Sequence, residues 1–353
     1  MNYFIRSAAL ASFCILLLGC GGSSGNNNDQ FTPNNVNVPV SGTPTQVTLG
    51  SKPENLVWVS AASSQIVESN SSNANVLTLT DSEFDDYKPV YSPDGSMIAF
   101  FRVFDYQDFN VNSWLTKICV INSDGTGFRE LTTAADTNWN PMWTRDGTNQ
   151  IIFTRLENLS PFLSSVYRVD PNADIGDASR ISSPSFGEFS YSGLQDGRIF
   201  VRRWSFTAGF SYHLLSPSEN NPTYQAFNLD SSTYIHKVSI SPSEDKIAYM
   251  KVIGNSAGNT FQNAVIAYAD IDTNTMMITN EKIITPFDSN TAYWYPAWTA
   301  DESHILYAYT ENFSDINAIG DIRAFNLQTE ETSIISSQPG LDYRYPNVKG
   351  VVK

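Results

Sequence analysis

The sequence predicts an all-β fold, a six-bladed β-propeller of four-stranded blades. Three observations lead to this prediction: a repeat of about fifty residues, turn signals at fixed places inside it, and chain ends that complete one another as a single repeat. Strands separated by regular turn signals are typical of all-β architectures. No segment has a convincing helical period.

The repeat is anchored on a short element in which an aromatic residue stands two places before a proline. Two copies are clear, at 87–100 and 139–153. Aligned positions in successive copies lie 52, 50, 47, 58 and 50 residues apart, at Pro89, Pro141, Tyr191, Val238, Pro296 and Pro346. Periods of this length indicate repeat architectures such as propellers.

Each copy is interpreted as four short strands. In the first full copy, Ser92-Pro93-Asp94-Gly95 supplies the dihedral angles of a tight turn between strands one and two. Asp124-Gly125 lies between two apolar segments and predicts the hairpin between strands three and four. We expect the later hairpins within 166–182, 264–285 and 322–336.

The two ends of the chain predict how the ring closes. The chain enters the repeat at 55–59 with what reads as a second strand, followed by 65–68 and 76–80 as the third and fourth. It ends on a lone first strand at 345–349. Pairing of the N- and C-terminal strands would complete a sixth blade and protect strand edges. Seven blades, or an array of two-sheet sandwiches, are the alternatives.

These units resemble the WD40-like (PD40) blades of the TolB-like β-propeller family over about residues 50–350. The Tyr/Trp-x-Pro, Ser-Pro-Asp-Gly and Asp-Gly…Leu-Thr elements carry the resemblance, which is sharp at 87–132 and 139–155 and degraded elsewhere. Members of that family add an N-terminal α/β domain, where this chain has a tether. The resemblance therefore implies the propeller and leaves the function open, since common folds host unrelated activities.

The first residues are expected to be a signal peptide at 1–19. A basic Arg6 precedes an apolar stretch of signal-peptide length, too short to span a bilayer. The stretch ends on Leu17-Leu18-Gly19-Cys20, which resembles a bacterial lipobox. The resemblance implies that Cys20 is acylated after cleavage before it. The alternative is an ordinary secretory signal with an incidental cysteine.

The predicted signal peptide and lipobox define where the remaining domains begin. Residues 20–46 are Gly, Ser, Asn, Pro and Thr with few apolar residues, which predicts a flexible tether, and 47–353 would form the propeller. Two or three acyl chains anchor a protein stably. Since Gly21 stands where a retention aspartate would be, we expect a lipid-anchored protein of the outer membrane, facing the periplasm or the cell surface.

The amino-acid composition limits the classes of ligand and partner that the protein could bind. The formal charge of −15 argues against nucleic-acid binding, which needs a basic surface. Three histidines offer little for a metal, and we expect no cofactor and a monomer. Cys119, in an apolar stretch, is expected to be buried. The segment 170–177 resembles a calcium loop, but its spacing favours an Asx-rich turn.

Candidate binding residues fall in two groups. The connections between strands two and three are long and rich in aromatic residues, among them Tyr106, Phe109 and Trp204. The second group is predicted to ring the mouth of the central channel: Tyr87, Trp139, His236, Trp294 and Arg344. Packing of these rings against the blades is the alternative for both groups.

The sequence is compatible with two functions. The first is a non-catalytic scaffold that binds a protein or a small exported ligand through this aromatic rim and touches the membrane only through its anchor. The second is a propeller lyase or hydrolase acting on an exported glycan or peptide. The residues that could supply its base and charge clamp are His236, Arg344, Lys237, Asp86 and Glu188.

Overall fold

The computed structural model describes residues 45–46, 55–60, 65–69, 76–81, 83–106, 114–133, 136–159, 162–184, 186–205, 209–229, 234–253, 264–288, 291–311, 320–336 and 343–349. Over these ranges it is all-β, as predicted. None of these residues belongs to a helix long and apolar enough to cross a membrane. The signal peptide, Cys20 and most of the tether lie outside the described residues.

The strands follow one another along the chain in this order. The first twelve are β1 (Thr45–Gln46), β2 (Leu56–Ser60), β3 (Gln65–Ser69), β4 (Val76–Thr78), β5 (Asp85–Tyr91), β6 (Met97–Tyr106), β7 (Trp114–Asn122), β8 (Arg129–Glu130), β9 (Asn138–Trp143), β10 (Ile151–Leu159), β11 (Phe162–Val169) and β12 (Ser179–Arg180). The others are β13 (Gly187–Gly193), β14 (Ile199–Ser205), β15 (Gly209–Ser216), β16 (Thr223–Ala226), β17 (Ile235–Ile240), β18 (Lys246–Val252), β19 (Ala264–Asp272), β20 (Met277–Ile283), β21 (Thr291–Trp298), β22 (His304–Glu311), β23 (Gly320–Asn326), β24 (Thr332–Ser336) and β25 (Tyr343–Val348).

These described strands pair into five sheets of antiparallel meanders. Three sheets have four strands: β5-β6-β7-β8, β17-β18-β19-β20 and β25-β2-β3-β4. A fourth contains β21 to β24 with β1 added in parallel at its edge, so the end of the predicted tether extends a sheet. The fifth sheet is eight-stranded and contains β9 to β16.

The prediction of six separate four-stranded blades is therefore corrected. Four sheets have the size of one blade, and the eight-stranded sheet takes the place of the others. Its two halves are joined where β11 and β13 run parallel, through the single residue pair Ser164 and Gly187. The repeated sequence motifs do not predict this link, because it is a contact between the backbones of β11 and β13 and involves none of the repeated turns.

The predicted pairing of the chain ends is confirmed. The C-terminal strand β25 pairs antiparallel with β2, with Leu56 opposite Val348 and Val59 opposite Arg344. Beyond the ladder, Lys349 N–H donates to Asn55 O at 2.8 Å. The last described strand, β25, thus becomes the first strand of the sheet that contains β2, β3 and β4.

The turns form where the sequence predicts them. Asp94 accepts a hydrogen bond from Ser96 N–H at 3.0 Å, and Gly95 has φ of +70°. The hairpin at Asp124 is held in the same way, by Thr126 N–H at 2.9 Å. A carboxylate that bonds the backbone two residues later fixes a tight reversal.

Neighbouring units are held together by buried rings and by indole hydrogen bonds. Trp143 Nε1 donates to Val90 O at 3.0 Å, and Trp298 Nε1 donates to Ser239 O at 3.0 Å. Each bond joins the innermost strand of one unit to the innermost strand of the preceding unit and contributes about 1 kcal/mol to stability. Cys119 is fully buried, as expected, and burial raises the pKa of its thiol.

Candidate functional site

The innermost strands of the repeats carry an irregularity at one equivalent position. In β5, β9, β17 and β21 the register shifts by a bulge. The residues there have positive φ angles of 50° to 52°, at Lys88, Asn140, Lys237 and Tyr295. Positive φ is uncommon for residues other than glycine, and a bulge changes where a side chain points.

Three of these bulged residues, Lys88, Lys237 and Tyr295, line a small cavity on the axis. It has a volume of about 90 Å³ and is lined by residues of five innermost strands. Its wall includes Lys88, Tyr191, Lys237, Tyr295, Pro346 and Asn347. A wider cavity of about 210 Å³ continues from it toward the turns that follow these strands. The two share Val90, Tyr191, Ser239, Ala297 and Asn347.

The ionisable side chains that line these cavities are basic, apart from tyrosine. Lys88 Nζ donates to Asn140 Oδ1 at 3.0 Å, and Lys237 Nζ lies 5.1 Å from the centre of the Tyr295 ring. Burial, and then the neighbouring Lys237, hold the pKa of Lys88 well below its usual value. Arg145 borders the wider cavity. Among the described residues that line either cavity there is no Asp or Glu.

The predicted channel-mouth residues lie beside this axis. Tyr87, Trp139 and His236 are 2%, 4% and 3% exposed and pack between the sheets. Trp294 is half-buried and stacks on Tyr295 with ring centres 6.2 Å apart. Arg344 pairs through its backbone with Val59, and its side chain lies outside the described residues. In three strands the residue that lines the axial cavity is the one after the predicted residue: Lys88, Lys237 and Tyr295. The reason is that the bulge interrupts the two-residue alternation of the strand.

His236 belongs to a buried cationic cluster. Arg202 Nη1 lies 2.6 and 2.8 Å from the two ring nitrogens of His236, and it donates to Tyr234 Oη at 3.1 Å. Rings of Phe189 and Phe210 flank the guanidinium at 4.6 and 4.8 Å. Burial, then Arg202 and Lys237, hold the pKa of His236 well below its ordinary value, so the imidazole is neutral at pH 7.

We expect His236 to make the fold sensitive to acid. The imidazole is neutral in the folded chain and protonates near pH 6.5 in the unfolded chain, so stability falls as the pH drops below about 6.5. Between pH 7 and pH 5 the loss from this residue is about 2 kcal/mol. His236→Phe should remove it, which urea unfolding at both pH values measures.

His304→Gln is the control for that measurement. His304 is half-buried, and although burial lowers its pKa, Asp301 raises it. The variant should keep most of the acid sensitivity of the wild type. An unchanged pH dependence in His236→Phe would show that His236 is protonated without cost in the folded chain.

The carboxylates considered for catalysis are engaged in buried ion pairs. Asp86 accepts two hydrogen bonds from Arg102, at 2.7 and 2.9 Å, and Glu188 lies 3.0 Å from Arg203. Burial raises the pKa of Asp86 to about 6, although Arg102 lowers it. Burial also raises the pKa of Glu188, opposed by bonds to Ser182 and Tyr224.

The rim formed by the 2→3 and 4→1 connections carries exposed aromatic residues. Phe104 is 46% exposed, with Lys117 Nζ 4.3 Å from its ring centre, and Phe287 is 38% exposed. Trp204, one of the predicted contact residues, is half-buried. Phe109 and the side chain of Tyr106 lie outside the described residues.

A groove of about 530 Å³ lies on the same rim, beside Phe287. Tyr293, Tyr309, Arg323 and Glu311 form its wall. Arg323 is held by Asp321 at 2.9 Å and by the Tyr309 ring, whose centre is 3.3 Å from the guanidinium carbon. The groove thus offers aromatic faces together with charges of both signs.

The possible calcium loop is a turn in the structure. Asn172 N–H donates to Asp170 Oδ1 at 2.7 Å, and Ala173 N–H donates to Asp170 O at 3.0 Å. Over the described ranges, no group of three or more His, Cys, Asp or Glu side chains is placed to hold a metal ion.

Comparison with known proteins shows likeness in structure. No family model matches the chain, and no curated protein matches it. TolB from Acinetobacter baumannii is similar at a TM-score of 0.60 and 15% identity, over 84% of this chain and 67% of that one. Hydrazine synthase from Kuenenia stuttgartiensis is similar at a TM-score of 0.59 and 16% identity, over 85% of this chain.

A puromycin-hydrolyzing peptidase from Mycobacterium tuberculosis is also similar, with a TM-score of 0.52 and 10% identity over 83% of this chain. This chain spans 46% of the hydrazine synthase and 44% of the peptidase, so each has a large part with no counterpart here. At these identities the likeness shows the fold alone: the chain is a β-propeller whose structural neighbours include TolB.

Proposed function

We propose that the protein is an exported, lipid-anchored β-propeller that binds a protein or a small exported ligand without catalysing a reaction. The observation that carries this proposal is the rim groove of about 530 Å³, with Tyr293, Tyr309 and Arg323 in its wall and the exposed Phe287 beside it. Phe287 is the exposed ring of this groove, whereas Tyr293 and Tyr309 are 3% and 9% exposed and Arg323 is paired with Asp321. Aromatic residues and arginine are enriched at binding surfaces.

The proposal includes a ring of six units. The eight-stranded sheet consists of two four-stranded meanders, β9 to β12 and β13 to β16, joined by one residue pair. Counted as two units, it brings the four sheets of single-blade size to a total of six. The separate indole bonds of Trp143 and Trp298 fit this repeat, since they recur at equivalent places in different units.

Burial of the catalytic candidates supports binding over catalysis. Asp86 and Glu188 are fully buried against arginines, and His236 is 3% exposed and stacked with Arg202. A general base has to reach the proton that it abstracts. Asp86 and Glu188 are better placed to pair with the arginine opposite them in their own sheet, and His236 to join β17 to β14, than to touch a substrate.

The sequence supports the anchoring half of the proposal. The lipobox-like Leu17-Leu18-Gly19-Cys20 follows a signal-peptide stretch, and Gly21 favours the outer membrane. An acylated Cys20 would place the propeller at the end of the segment 20–46. Cys20→Ala should leave an unprocessed chain that no longer labels with a fatty-acid probe in a Gram-negative host.

Capture of a partner by the rim is the direct test of the binding function. We expect the triple variant Phe104→Ala, Trp204→Ala and Phe287→Ala to lose at least tenfold of the partner crosslinked from native membranes. The side chains are exposed or half-buried, so the melting temperature should change little. Tyr106→Ala with Phe109→Ala should give the same loss.

The matched control changes exposed apolar residues away from the rim. Ile175 is 55% exposed and Met277 is 41% exposed, and both lie at hairpins between third and fourth strands. Ile175→Ala with Met277→Ala should leave capture at the wild-type level. Equal loss in both variants, or undiminished capture by the rim variant, would contradict the rim assignment.

A further inference from the structure

Two lysines from different sheets meet in the small axial cavity. Lys88 belongs to β5 and Lys237 to β17, and both line the space of about 90 Å³. Burial first, and then the charge of Lys237, lower the pKa of Lys88. Like charges held together away from bulk water are costly unless a counter-charge joins them.

The protein itself supplies little compensation to Lys88. Its ammonium has three donor hydrogens, and among the described residues one acceptor is found for them, Asn140 Oδ1 at 3.0 Å. The cavity walls are otherwise aromatic rings, prolines and Asn347. The described lining of both connected cavities contains lysines and an arginine and no carboxylate, in a chain whose formal charge is −15.

The strand bulge that recurs in several units places both amines at the cavity. Lys88 and Lys237 have φ angles of 52° and 50°, at equivalent bulges of their strands. Positive φ in a residue with a long side chain costs free energy, and such strain concentrates at ligand sites. The strands that carry Lys88 and Lys237 have two other innermost strands, β9 and β13, between them along the chain, and the two lysines line the same cavity from different sheets.

We propose that the axial cavity binds the phosphate group of a small or larger phosphorylated molecule between Lys88 and Lys237. Two ammonium groups match a doubly charged oxyanion. A planar carboxylate is better matched by the forked guanidinium of arginine, whereas lysine binds phosphate as a point charge. The cavity is far below the size of pockets that enclose drug-sized ligands, about 300 Å³ or more, so only a small group fits.

The wider cavity gives the phosphate group a route to the axis. It shares five wall residues with the axial cavity and reaches the turns that follow the innermost strands, where Arg145 is paired with Glu244 at 3.7 Å. Arg145 is fixed there by Ser241 O at 3.1 Å and Pro242 O at 2.6 Å. Because those turns lie at the opposite end of the strands from the 2→3 rim, this site is separate from the rim groove.

The inference extends the proposed binding function, but its test does not depend on the rim. Inorganic phosphate is titrated into the full mature chain in a low-salt buffer free of phosphate, by calorimetry. We expect saturable binding to the wild type. Lys88→Met and Lys237→Met should each weaken it at least tenfold, and Lys88→Gln should do the same while keeping a donor for Asn140.

Lys246→Met is the matched control, because Lys246 lies on the surface beside Asp245 at 3.1 Å. It should bind phosphate like the wild type. The rim triple variant should also bind phosphate normally, so loss of partner capture and loss of phosphate binding are distinguishable. Without phosphate, Lys88→Met should melt no lower than the wild type, because it removes a like-charge contact.

Two further titrations identify the ligand. Glycerol 3-phosphate binding as tightly as phosphate would indicate a phosphoryl group on a larger molecule, and binding of phosphate alone would indicate the free ion; both support the site. Acetate should bind at least tenfold more weakly. Absence of saturable phosphate binding, wild-type affinity in Lys88→Met, or acetate binding as tight as phosphate would overturn the proposal.

Discussion

Removal of residues 343–353 is expected to abolish the cooperative fold. Without β25, the sheet that contains β2, β3 and β4 loses its innermost strand, and β2 becomes an exposed edge. The contact from Asn347 Oδ1 to Tyr91 N–H at 3.0 Å, which links this sheet to the next, is lost as well. We expect a cost of about 5 kcal/mol or more, comparable with the whole stability of many domains.

The measurement is urea unfolding followed by tryptophan fluorescence, with the truncated and full chains side by side. Removal of residues 350–353 alone, which follow β25, serves as the control and should change stability by less than about 0.5 kcal/mol. A synthetic peptide covering residues 341–353, added in trans, should restore part of the transition by pairing with β2. A truncated chain with full stability would mean that the ring does not depend on β25.

Asp86→Ala is expected to destabilise the protein by about 3 to 5 kcal/mol, the range seen when one partner of a buried ion pair is removed. Asp86 is fully buried and Arg102 is 4% exposed, joined by bonds of 2.7 and 2.9 Å. The change leaves the guanidinium buried among aromatic rings, the nearest being Phe128 at 4.6 Å and Phe84 at 5.0 Å. Those rings cannot replace a carboxylate.

The double variant Asp86→Ala with Arg102→Met separates the pair from the packing. Burial raises the pKa of Asp86 to about 6 in spite of Arg102, which indicates that desolvation offsets much of the attraction. The double variant should therefore recover most of the lost stability. Lys246→Ala, at a pair whose side chains are 31% and 59% exposed, should cost less than about 1 kcal/mol. Equal costs for the single and double variants would contradict this account of the pair.

Much of the architecture was predictable because it rests on local chemistry. Turns such as Ser92 to Gly95 and Asp124 to Gly125 depend on residues that can adopt the required angles, and these are visible in the sequence. Ring closure was predictable because the chain begins at a second strand and ends at a first. The joining of two meanders through Ser164 and Gly187 was not, since no residue type marks one parallel bridge.

In three strands, β5, β17 and β21, the residue that lines the axial cavity is the one after the predicted channel-mouth residue. Alternation along a regular strand favoured Tyr87 and His236 for the axis, and the structure buries both between sheets. The bulges turn the following residues, Lys88 and Lys237, to the cavity instead. The cavity wall thereby combines lysine side chains with aromatic rings. A proline follows three of the four bulged residues, which marks an interruption of regular strand pairing in the sequence. The positive sign of φ cannot be predicted from the residue types.

The axial site and the rim both depend on a closed ring. Pro346 and Asn347 of β25 line the axial cavity, so a ring that opened between β25 and β2 would lose both its phosphate site and the fixed spacing of its rim. We therefore expect β2 and β25 to be as stable against local unfolding as the innermost strands in the middle of the chain.

Hydrogen exchange on the intact chain, read by mass spectrometry, tests that claim most directly. We predict that the amides of β2 and β25 exchange as slowly as those of β9 and β17, because all four strands belong to one cooperative ring. Rapid exchange in β2 and β25, with β9 and β17 still protected, would contradict closure of the ring by its terminal strands.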